Sequence, residues 1–432
     1  MDQSFSTGRA SPSVMPSLSI VYVWDADYPW DVRTEKICGA LTEAGHRVTI
    51  VARNKEWAPE REILPEGTVQ RMRPWRWAGR ALDGLLGFPA FFSPRWSQLL
   101  RKATKASAAD LIIVRDLPLC LTAIAVGKEE SIPVMLDMAE NYPAMMRDRQ
   151  HSTRSAAIDM LVRNPRAIDL IERYCVKRVD WTLTVVEESS KRLTNMGTDP
   201  RRLTVVSNTP PRRRVETAAQ RKEVGADDTI TVAYLGLLEA ARGIGDLVEA
   251  MKLLRDAYGA KFRAIVVGGG RDAELFVNRA RSLGILDTTV KFLGRLPHHE
   301  ALRAIADANV GVIPHHATES WNTTIPNKLF DYMAAGLPVV SSDTKPCARI
   351  LLETGCGELF RSGDAASMAK AVISATSPGV SERMAMAGRR AILDRYNWEN
   401  DAAALLDAVR LAKKGKDGSK RLSLGYDNES QS

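Results

Sequence analysis

The chain has 432 residues, of which 45% are hydrophobic and 26% are charged. This length exceeds what one hydrophobic core usually serves, and the composition is that of a folded globular protein, which excludes a fibrous or largely disordered chain. The net charge of +8 leaves nucleic acid, an anionic membrane surface and anionic small molecules open as partners.

The chain ends and the cysteines bear on cellular location. Residues 1–17 contain no apolar run of signal-peptide length, and no stretch reaches the roughly 18 apolar residues of a spanning helix. The five cysteines are scattered, without the close spacing of a zinc or redox motif. We therefore expect a cytoplasmic protein that is disordered at residues 1–17 and in the polar tail at 415–432.

The first half alternates short apolar runs with helical spacing. "LSIVYVW" predicts a strand, Ile37, Leu41 and Ala44 mark the apolar face of a helix, and a second strand begins at Val48. The same pattern recurs up to residue 207 in "DLIIV", "IPVMLDM", "VDWTLTVV" and "LTVVSN". Such alternation predicts a domain over 18–207 with a mostly parallel sheet covered on both faces.

The stretch "NTPPRRR" interrupts this alternation with two prolines and a charge run, and predicts a linker over 208–228. The alternation restarts at "TITVAYLG" and continues over a second domain at 229–395, followed by a helix at 396–414 that can pack back on the first domain. The predicted fold class is α/β, with two Rossmann-like, doubly wound domains facing each other across a cleft. Ligands of such sheets bind beyond the carboxyl ends of the strands.

Asp25 and Asp27 form an Asp-x-Asp directly after the first strand, in "VYVWDADYPWDVR". Two carboxylates at this spacing suit a divalent metal. They equally suit a turn that caps the following helix.

Four stretches of the second half carry a family resemblance: "YLGLLEAARGIGDLVEAM", "AIVVGGG", "VKFLGRLPHHEALRAIADANVGVIP" and "PNKLFDYMAAGLPVVSSD". Their order and spacing resemble the nucleotide-binding domain of the retaining GT-B glycosyltransferases of family 4, and a weaker match of the first half extends the likeness to nearly the whole chain. The resemblance implies transfer of a sugar from a nucleotide diphosphate-sugar to a hydroxyl of a glycan or lipid-linked acceptor, in polysaccharide or cell-envelope assembly, with no nucleic-acid partner. A sugar-nucleotide epimerase and a sugar-nucleotide-binding protein without catalysis are the alternatives.

In "GLLEAARGIGD", Gly236 ends a strand, and Arg242 and Gly243 precede a helix. Free backbone N–H groups and the positive end of the helix dipole suit a diphosphate, and Arg242 adds a fixed charge. The family often has a second cation where this chain has Leu237, and Lys328 is the candidate to replace it. The alternatives are a plain strand-to-helix turn and a solvated lysine.

In "PNKLFDYMAAG", Asp331 stands where the family usually has the glutamate that binds the nucleotide ribose. The family's other glutamate, eight positions earlier, corresponds to Thr323, and Glu319 is the possible substitute. The resemblance implies further donor contacts at Thr324, Asn327, Lys328 and Leu329.

The resemblance also implies an acceptor side in the first domain. In "LDMAENYP", Glu140 follows a strand and is predicted to orient or deprotonate the acceptor hydroxyl, beside Asn141 and in front of Asp137; a buried helix-capping carboxylate is the alternative. The predicted catalytic residues are therefore Glu140, Arg242 and Lys328. GT-B enzymes generally need no metal bridge, so we expect no metal or other cofactor and interpret the first loop as an acceptor contact through Asp25, Tyr28, Asp31 and Arg33.

Residues 71–105 contain eight cations against one acid, interleaved with tryptophans and phenylalanines. This composition suits an anionic membrane surface, which predicts peripheral binding to the inner face of the membrane. The alternative is a segment that packs its aromatics inward. The histidines at 298, 299, 315 and 316 are interpreted as surface or loop residues.

Overall fold

The computed structural model describes residues 16–29, 31–74, 91, 93–150, 164–216 and 229–426, the side chains of 149, 150, 216, 298 and 416–426 excepted. Two sheets organise these residues, and strands of the first lie between residues 19 and 205, whereas strands of the second lie between 230 and 360. The predicted fold class is confirmed: the protein is α/β, with two domains built on parallel sheets.

The first sheet has eight strands in the order β3-β4-β2-β1-β5-β6-β7-β8. All neighbouring strands are parallel except β3 and β4, which pair as an antiparallel hairpin. The strands are β1 (Ser19–Asp27), β2 (Arg47–Arg53), β3 (Arg61–Leu64), β4 (Gly67–Arg71), β5 (Leu111–Arg115), β6 (Val134–Met138), β7 (Trp181–Thr184) and β8 (Leu203–Val205).

The second sheet has six parallel strands in the order β11-β10-β9-β12-β13-β14. Its central strands are buried on both faces, which explains their continuous apolar sequence. The strands are β9 (Ile230–Leu235), β10 (Phe262–Val267), β11 (Val290–Gly294), β12 (Val310–Ile313), β13 (Val339–Ser342) and β14 (Gly357–Phe360).

Helices cover both faces of each sheet. Those before the second sheet are α1 (Val32–Glu43), α2 (Pro94–Ser107), α3 (Cys120–Glu129), α4 (Tyr142–Gln150), α5 (Pro165–Val176), α6 (Glu187–Asn195) and α7 (Arg213–Glu216). Those that follow are α8 (Ile244–Tyr258), α9 (Ala273–Ser282), α10 (His298–Ala304), α11 (Lys328–Ala335), α12 (Lys345–Thr354), α13 (Ala365–Ala375), α14 (Val380–Asp394) and α15 (Trp398–Tyr426).

The last helix joins the first domain's core. Leu405, Ala408, Val409 and Ala412 of α15 are buried in one cluster with Ile20 of the first strand. The helix continues past residue 414, where the sequence analysis placed the start of a disordered tail. After the second domain, the chain therefore returns to the first and packs against it. Residues 217–228 of the predicted linker and both chain ends, 1–15 and 427–432, lie outside the described residues.

Contacts between the domains fix how the two sheets meet. Arg349 of α12 forms ion pairs with Glu187 and Glu188 of α6, at 2.6 and 2.7 Å. On the other side, the loop after β6 is hydrogen-bonded to the loop after β12. The carboxyl ends of β6 and β12 thus face one another across the cleft.

Candidate active site

Lys328, the first residue of α11, is buried beside the loop that follows β9. It is 6% exposed, its Nζ lies 3.9 Å from the centre of the Tyr234 ring, and no group among the described residues accepts a hydrogen bond from it. Gly236 in this loop has a φ of 144°, and a Cβ there would stand 2.9 Å from the Lys328 Nζ. The missing side chain at 236 therefore gives the ammonium room against the loop.

Arg242 lies at the other end of the same loop, directly before α8. Its Cζ is 5.1 Å from the centre of the Trp321 ring, and its Nε has no hydrogen-bond partner within the described part of the chain. The nearest carboxylate is that of Glu239, 3.7 Å from the Nε. Arg242 thus carries a charge that the protein neutralises only weakly.

Gly243 makes the close packing at this point possible. Its φ is 66°, and a Cβ would lie 1.8 Å from the carbonyl oxygen of Pro314, which follows β12. Only glycine fits here, so the start of α8 can approach the loop after β12. The sequence-predicted residues Gly236, Arg242, Gly243 and Lys328 are therefore brought together at the carboxyl edge of the second sheet, and their ligand-binding role remains a prediction.

His315 lies in a loop, as the sequence analysis allowed, but it is buried rather than on the surface. It is 1% exposed, neither ring nitrogen has a hydrogen-bond partner among the described residues, and its ring lies 4.1 Å from that of Trp321. The Oγ of Ser342 donates a 2.6 Å hydrogen bond to its carbonyl oxygen and fixes the backbone. The only signal in the sequence was its position directly after a strand, at the edge where ligands bind.

Burial and charge act together on these side chains. Burial lowers the pKa of Lys328 well below its ordinary value, and the neighbouring Arg242 lowers it further. Burial likewise lowers the pKa of His315, with added contributions from Lys328 and Arg242. His316 behaves oppositely, because its hydrogen bond to Asp246 raises its pKa. The result is a cationic cluster of nitrogen donors, formed by Arg242, His315, His316 and Lys328, a chemistry that suits an anion.

The loop after β12 meets the first domain through the predicted donor and acceptor residues. Asn141 donates its side-chain N–H to Thr323 Oγ1 at 3.0 Å, and Thr324 Oγ1 donates to the Ala139 carbonyl at 3.3 Å. Glu140 lies between these two contacts in the sequence and is half-buried. The structure therefore brings predicted residues of both domains to one place in the cleft.

The donor-side prediction also covered Leu329, Asn327, Asp331 and Glu319, which lie in four different environments. The Leu329 side chain is in the core, and its backbone N–H donates to the carbonyl oxygen of Pro326. The predicted ligand contact of Leu329 is therefore corrected: both groups are engaged within the protein. Asn327 is exposed at the start of α11. Asp331 forms a 2.5 Å ion pair with Arg214, and Glu319 forms a 2.7 Å pair with Arg147 across the cleft.

Asp137 is an internal carboxylate. It is fully buried, Arg33 Nε donates to it at 2.8 Å, and the Tyr22 hydroxyl donates to it at 2.8 Å. The same Arg33 side chain donates to the Val206 carbonyl and to Asn208. This network ties α1 to β6 and to the start of the linker.

The predicted acceptor contacts of the first loop are corrected by these packing interactions. The guanidinium of Arg33 is buried and engaged by Asp137, Val206 and Asn208, and Tyr28 packs in the core cluster of the first strand, so both side chains lie inside the first domain. Asp31 caps α1 by accepting from the Thr34 N–H at 2.7 Å and pairs with Arg115. Asp25 pairs with Arg53. The capping alternative thus describes this loop better than the acceptor one.

Asp25 and Asp27 do not share a ligand-like arrangement. Asp25 faces Arg53, whereas Asp27 accepts from the Lys55 backbone N–H at 2.5 Å. Burial raises the pKa of Asp25 although Arg53 opposes the shift. Within the described ranges, no cluster of three or more His, Cys, Asp or Glu side chains has the geometry of a metal site.

The basic segment 71–105 is partly internal. Arg71 is 3% exposed and donates to the Tyr28 carbonyl, so it is corrected from a surface to a core residue. Trp96 is fully buried, as the alternative of inward-packed aromatics predicts. Arg73 remains on the surface with 83% of its side chain exposed, as does Lys102. Residues 75–90 and 92 lie outside the described residues. In the part of the chain that the structure covers, none of the helices combines the length and apolarity needed to cross a bilayer.

Comparison with known proteins gives two family matches. Residues 229–377 match the family described as "Glycosyl transferases group 1", and residues 31–209 match the "Glycosyl transferase 4-like domain". The chain is 25% identical over 309 residues to a glycogen synthase of Mycobacterium tuberculosis (strain CDC 1551 / Oshkosh), covering 71% of this chain and 70% of the relative. It is 29% identical over 178 residues to a phosphatidyl-myo-inositol mannosyltransferase of Mycobacterium leprae (strain TN), covering 41% and 45%.

Solved structures share the fold. Sucrose-phosphate synthase from Thermosynechococcus elongatus superposes with a TM-score of 0.72 at 16% identity, covering 91% of this chain and 98% of that one. Anabaena HepE in complex with UDP superposes with a TM-score of 0.67 at 13% identity, covering 91% and 100%. The two-domain arrangement is thus that of GT-B proteins.

Proposed function

Because this chain is a glycosyltransferase of the GT-B type, we propose that it moves a sugar from a nucleotide diphosphate-sugar to a hydroxyl acceptor. The supporting observation is the pair of poorly neutralised cations, Lys328 and Arg242, at the glycine loop after β9. A buried nitrogen donor without a partner is costly, and an anionic ligand supplies that partner and favours the charged form of Lys328. The diphosphate of a sugar nucleotide is such an anion, and HepE, which shares the fold, was crystallised with UDP.

Leaving-group stabilisation is the main catalytic contribution in this proposal. Negative charge grows on the donor phosphate as the glycosidic bond breaks, and Arg242 and Lys328 stabilise that charge more in the transition state than in the ground state. The N–H groups at the start of α8 add to this effect. These protein groups supply the positive charge that a divalent metal provides in other enzymes, so the proposed reaction is independent of metal.

We propose that the configuration at the sugar carbon is retained. The C1–O bond to the donor phosphate breaks, the acceptor oxygen bonds to C1 on the same face, and the hydroxyl proton passes to the departing phosphate. The products are the glycoside and a nucleoside diphosphate. In this scheme Glu140, at the carboxyl end of β6, orients the acceptor hydroxyl beside Asn141.

The acceptor is proposed to be a growing glycan or a lipid-linked sugar. The relatives include a glycogen synthase and a phosphatidyl-myo-inositol mannosyltransferase, whose names describe polysaccharide and glycolipid synthesis. The exposed cations Arg73 and Lys102 on the first domain suit an anionic membrane surface, where each contributes on the order of 1 kcal/mol. We therefore place the reaction in the cytoplasm, at the inner face of the membrane.

A donor panel tests the proposal. Purified protein is incubated with UDP-, GDP- and ADP-sugars, with and without a mixture of oligosaccharide and lipid-linked acceptors, and the nucleoside diphosphate released is measured. Acceptor-dependent release, with the product's anomeric configuration read by NMR, supports the proposal. An altered sugar on an intact nucleotide would instead identify an epimerase, and binding without turnover of any donor would identify a binding protein.

A further inference from the structure

Among the described residues, His315 is a buried member of the cationic cluster that the proposed transfer does not use. Its imidazole is 1% exposed, and both ring nitrogens lack hydrogen-bond partners among the described residues. A buried polar group normally has a partner, so an imidazole with neither nitrogen satisfied points to a group that is supplied from outside the chain. The Trp321 ring lies against the imidazole, with 4.1 Å between the ring centres and a tilt of 32°.

The groups around His315 are mostly basic. Lys328 of α11 and Arg242 from the turn before α8 both oppose a positive charge on it, and so does the adjacent His316. Asp246 is engaged by His316 at 2.8 Å, Glu239 lies next to Arg242, and Asp331 is paired with Arg214. Within the described residues, no carboxylate forms an ion pair with His315 or with the Lys328 ammonium.

We infer that His315 contacts the donor diphosphate and takes up a proton when it binds, so that binding of the donor is coupled to protonation of the cationic cluster. This inference rests on the proposed function, because it takes the diphosphate as the ligand of this cluster. It adds a ligand-binding residue and a pH dependence to that function.

Donor binding and protonation of His315 are coupled because the diphosphate and the basic side chains would lie close together. In the free protein, burial and the cations Lys328 and Arg242 hold the pKa of His315 well below its ordinary value, so the imidazole is neutral at neutral pH. A bound diphosphate places negative charge beside His315, and this charge favours the protonated imidazole, whereas the cations alone disfavour it. The pKa therefore rises on binding, and a proton is taken up at any pH between the free and the bound values.

The sign of the pH dependence is therefore fixed. Donor binding is favoured at low pH and weakens as the pH rises through the pKa of His315 in the complex. Where one proton is fully linked, the Kd rises about tenfold per pH unit. Lys328, whose pKa is also lowered by burial, can contribute in the same direction.

Isothermal titration calorimetry tests the inference with UDP-glucose, GDP-mannose and ADP-glucose as probes in the absence of acceptor. The phosphates of these diesters do not titrate near neutral pH, so any proton taken up goes to the protein. The binding enthalpy is measured in two buffers of different ionisation enthalpy, at several values from about pH 5 to about pH 8. The slope of the enthalpy against the buffer's ionisation enthalpy gives the number of protons.

His315→Gln and His316→Gln form a matched pair. His316 is hydrogen-bonded to Asp246 in the wild-type protein, so we expect proton uptake to persist in His316→Gln. In His315→Gln we expect a clear loss of the uptake seen in the wild-type protein. His315→Asn serves as a second variant, and melting curves identify any variant that fails to fold. Uptake that is clearly reduced but not abolished in both His315 variants supports the inference, with the remainder assigned to Lys328, whereas undiminished uptake contradicts it.

Two outcomes separate this inference from the function it rests on. Binding of a donor without proton uptake at any pH, or with the same uptake in His315→Gln as in the wild type, overturns the inference and leaves the proposed function intact. Failure of all three probes, and of inorganic pyrophosphate, to bind the folded protein overturns both.

Discussion

The ammonium of Lys328 occupies the space that a side chain at residue 236 would fill, with its Nζ 2.9 Å from the position of a Cβ on Gly236. The two residues are far apart in the sequence and belong to different motifs of the predicted donor site. Their contact explains how Lys328 reaches the loop where related enzymes carry a cation and this chain has Leu237. A substitution at 236 is therefore also a perturbation of Lys328.

Gly236→Ala should weaken diphosphate binding without unfolding the protein. The methyl group displaces the ammonium or the loop, and an L-residue at this φ adds strain of about 1–3 kcal/mol. We expect the Kd for UDP or another bound nucleotide to rise roughly 10- to 100-fold, measured by calorimetry. Gly284→Ala is the matched control, since Gly284 also has a positive φ but faces open space. Equal affinities for the two variants would contradict the role of this contact.

Arg242→Ala should lower kcat by roughly 100-fold or more, because losing one group that stabilises growing charge typically costs about 3–4 kcal/mol of barrier. Arg242→Lys should recover only part of the rate, since a point charge cannot form a bidentate contact. Steady-state kinetics beside a melting curve provide the measurement, with Arg390→Ala, an exposed arginine of α14, as control. Near-normal kcat in Arg242→Ala, or loss by unfolding alone, would assign Arg242 a structural role and leave Lys328 as the principal cation.

Most of the fold could be predicted because each buried parallel strand is a short apolar run between turn residues. "TITVAYLG" and "ANVGVIP" became β9 and β12, and the apolar positions of "GIGDLVEAMKLLRDAYG" became the buried face of α8. The hairpin of β3 and β4 was missed. Its sequences, "REIL" and "GTVQR", mix polar and apolar residues because β3 lies at the sheet edge, and no periodicity separates them from a loop.

The candidate site was predictable only in part, for a related reason. Strand ends locate the edge where loops converge, which is enough to bring Gly236, Arg242 and Lys328 together. Whether a polar residue next to such an edge points inward depends on tertiary packing. Arg33 turned inward to Asp137, and His315 was buried against Trp321. The acceptor contact was therefore wrong in the first case, and a buried residue of the cationic cluster was missed in the second.

Transfer should survive chelation of divalent metals. The proposed diphosphate contacts are Arg242, Lys328 and backbone N–H groups, and Asp25 and Asp27 each have separate partners within the first domain. We expect unchanged rates in excess EDTA, and we expect Asp25→Asn to lower the melting temperature by weakening the ion pair between residues 25 and 53 rather than to create a metal requirement. Activity that EDTA abolishes and Mg²⁺ or Mn²⁺ restores would refute the metal-independent mechanism.

Anionic vesicles should bind the protein through the first domain. Arg73→Glu and Lys102→Glu remove exposed cations, and together they should reduce flotation with phosphatidylglycerol vesicles at low salt, because surface attraction falls with each lost charge. Arg383→Glu and Arg390→Glu together, two exposed cations of the second domain, are the control of equal charge change. If the wild-type protein does not float with the vesicles at low salt, the membrane proposal is contradicted. If the control variant loses as much flotation as the first-domain variant, binding depends on net charge alone and not on the first domain.

Asp137→Ala should be strongly destabilising, because it leaves the buried Arg33 guanidinium without its counter-ion. Burial opposes the charge on Arg33, yet Asp137 outweighs that effect and raises the pKa of the guanidinium. Breaking such a pair by removing one partner typically costs about 3–5 kcal/mol of unfolding free energy, measurable by urea denaturation.

A double-mutant cycle distinguishes this interaction from a simple loss of packing. Arg33→Met removes the charge, so the double variant Arg33→Met/Asp137→Ala should be less destabilised than the sum of the single variants by about 1–3 kcal/mol. Arg33 also donates to the Val206 carbonyl and to Asn208 at the start of the linker, so Arg33→Met should in addition loosen the junction between the domains, visible as faster amide exchange at residues 206–209. Strict additivity of the two substitutions would mean that Asp137 is stabilised by Tyr22 and its surroundings, and that the ion pair contributes nothing of its own.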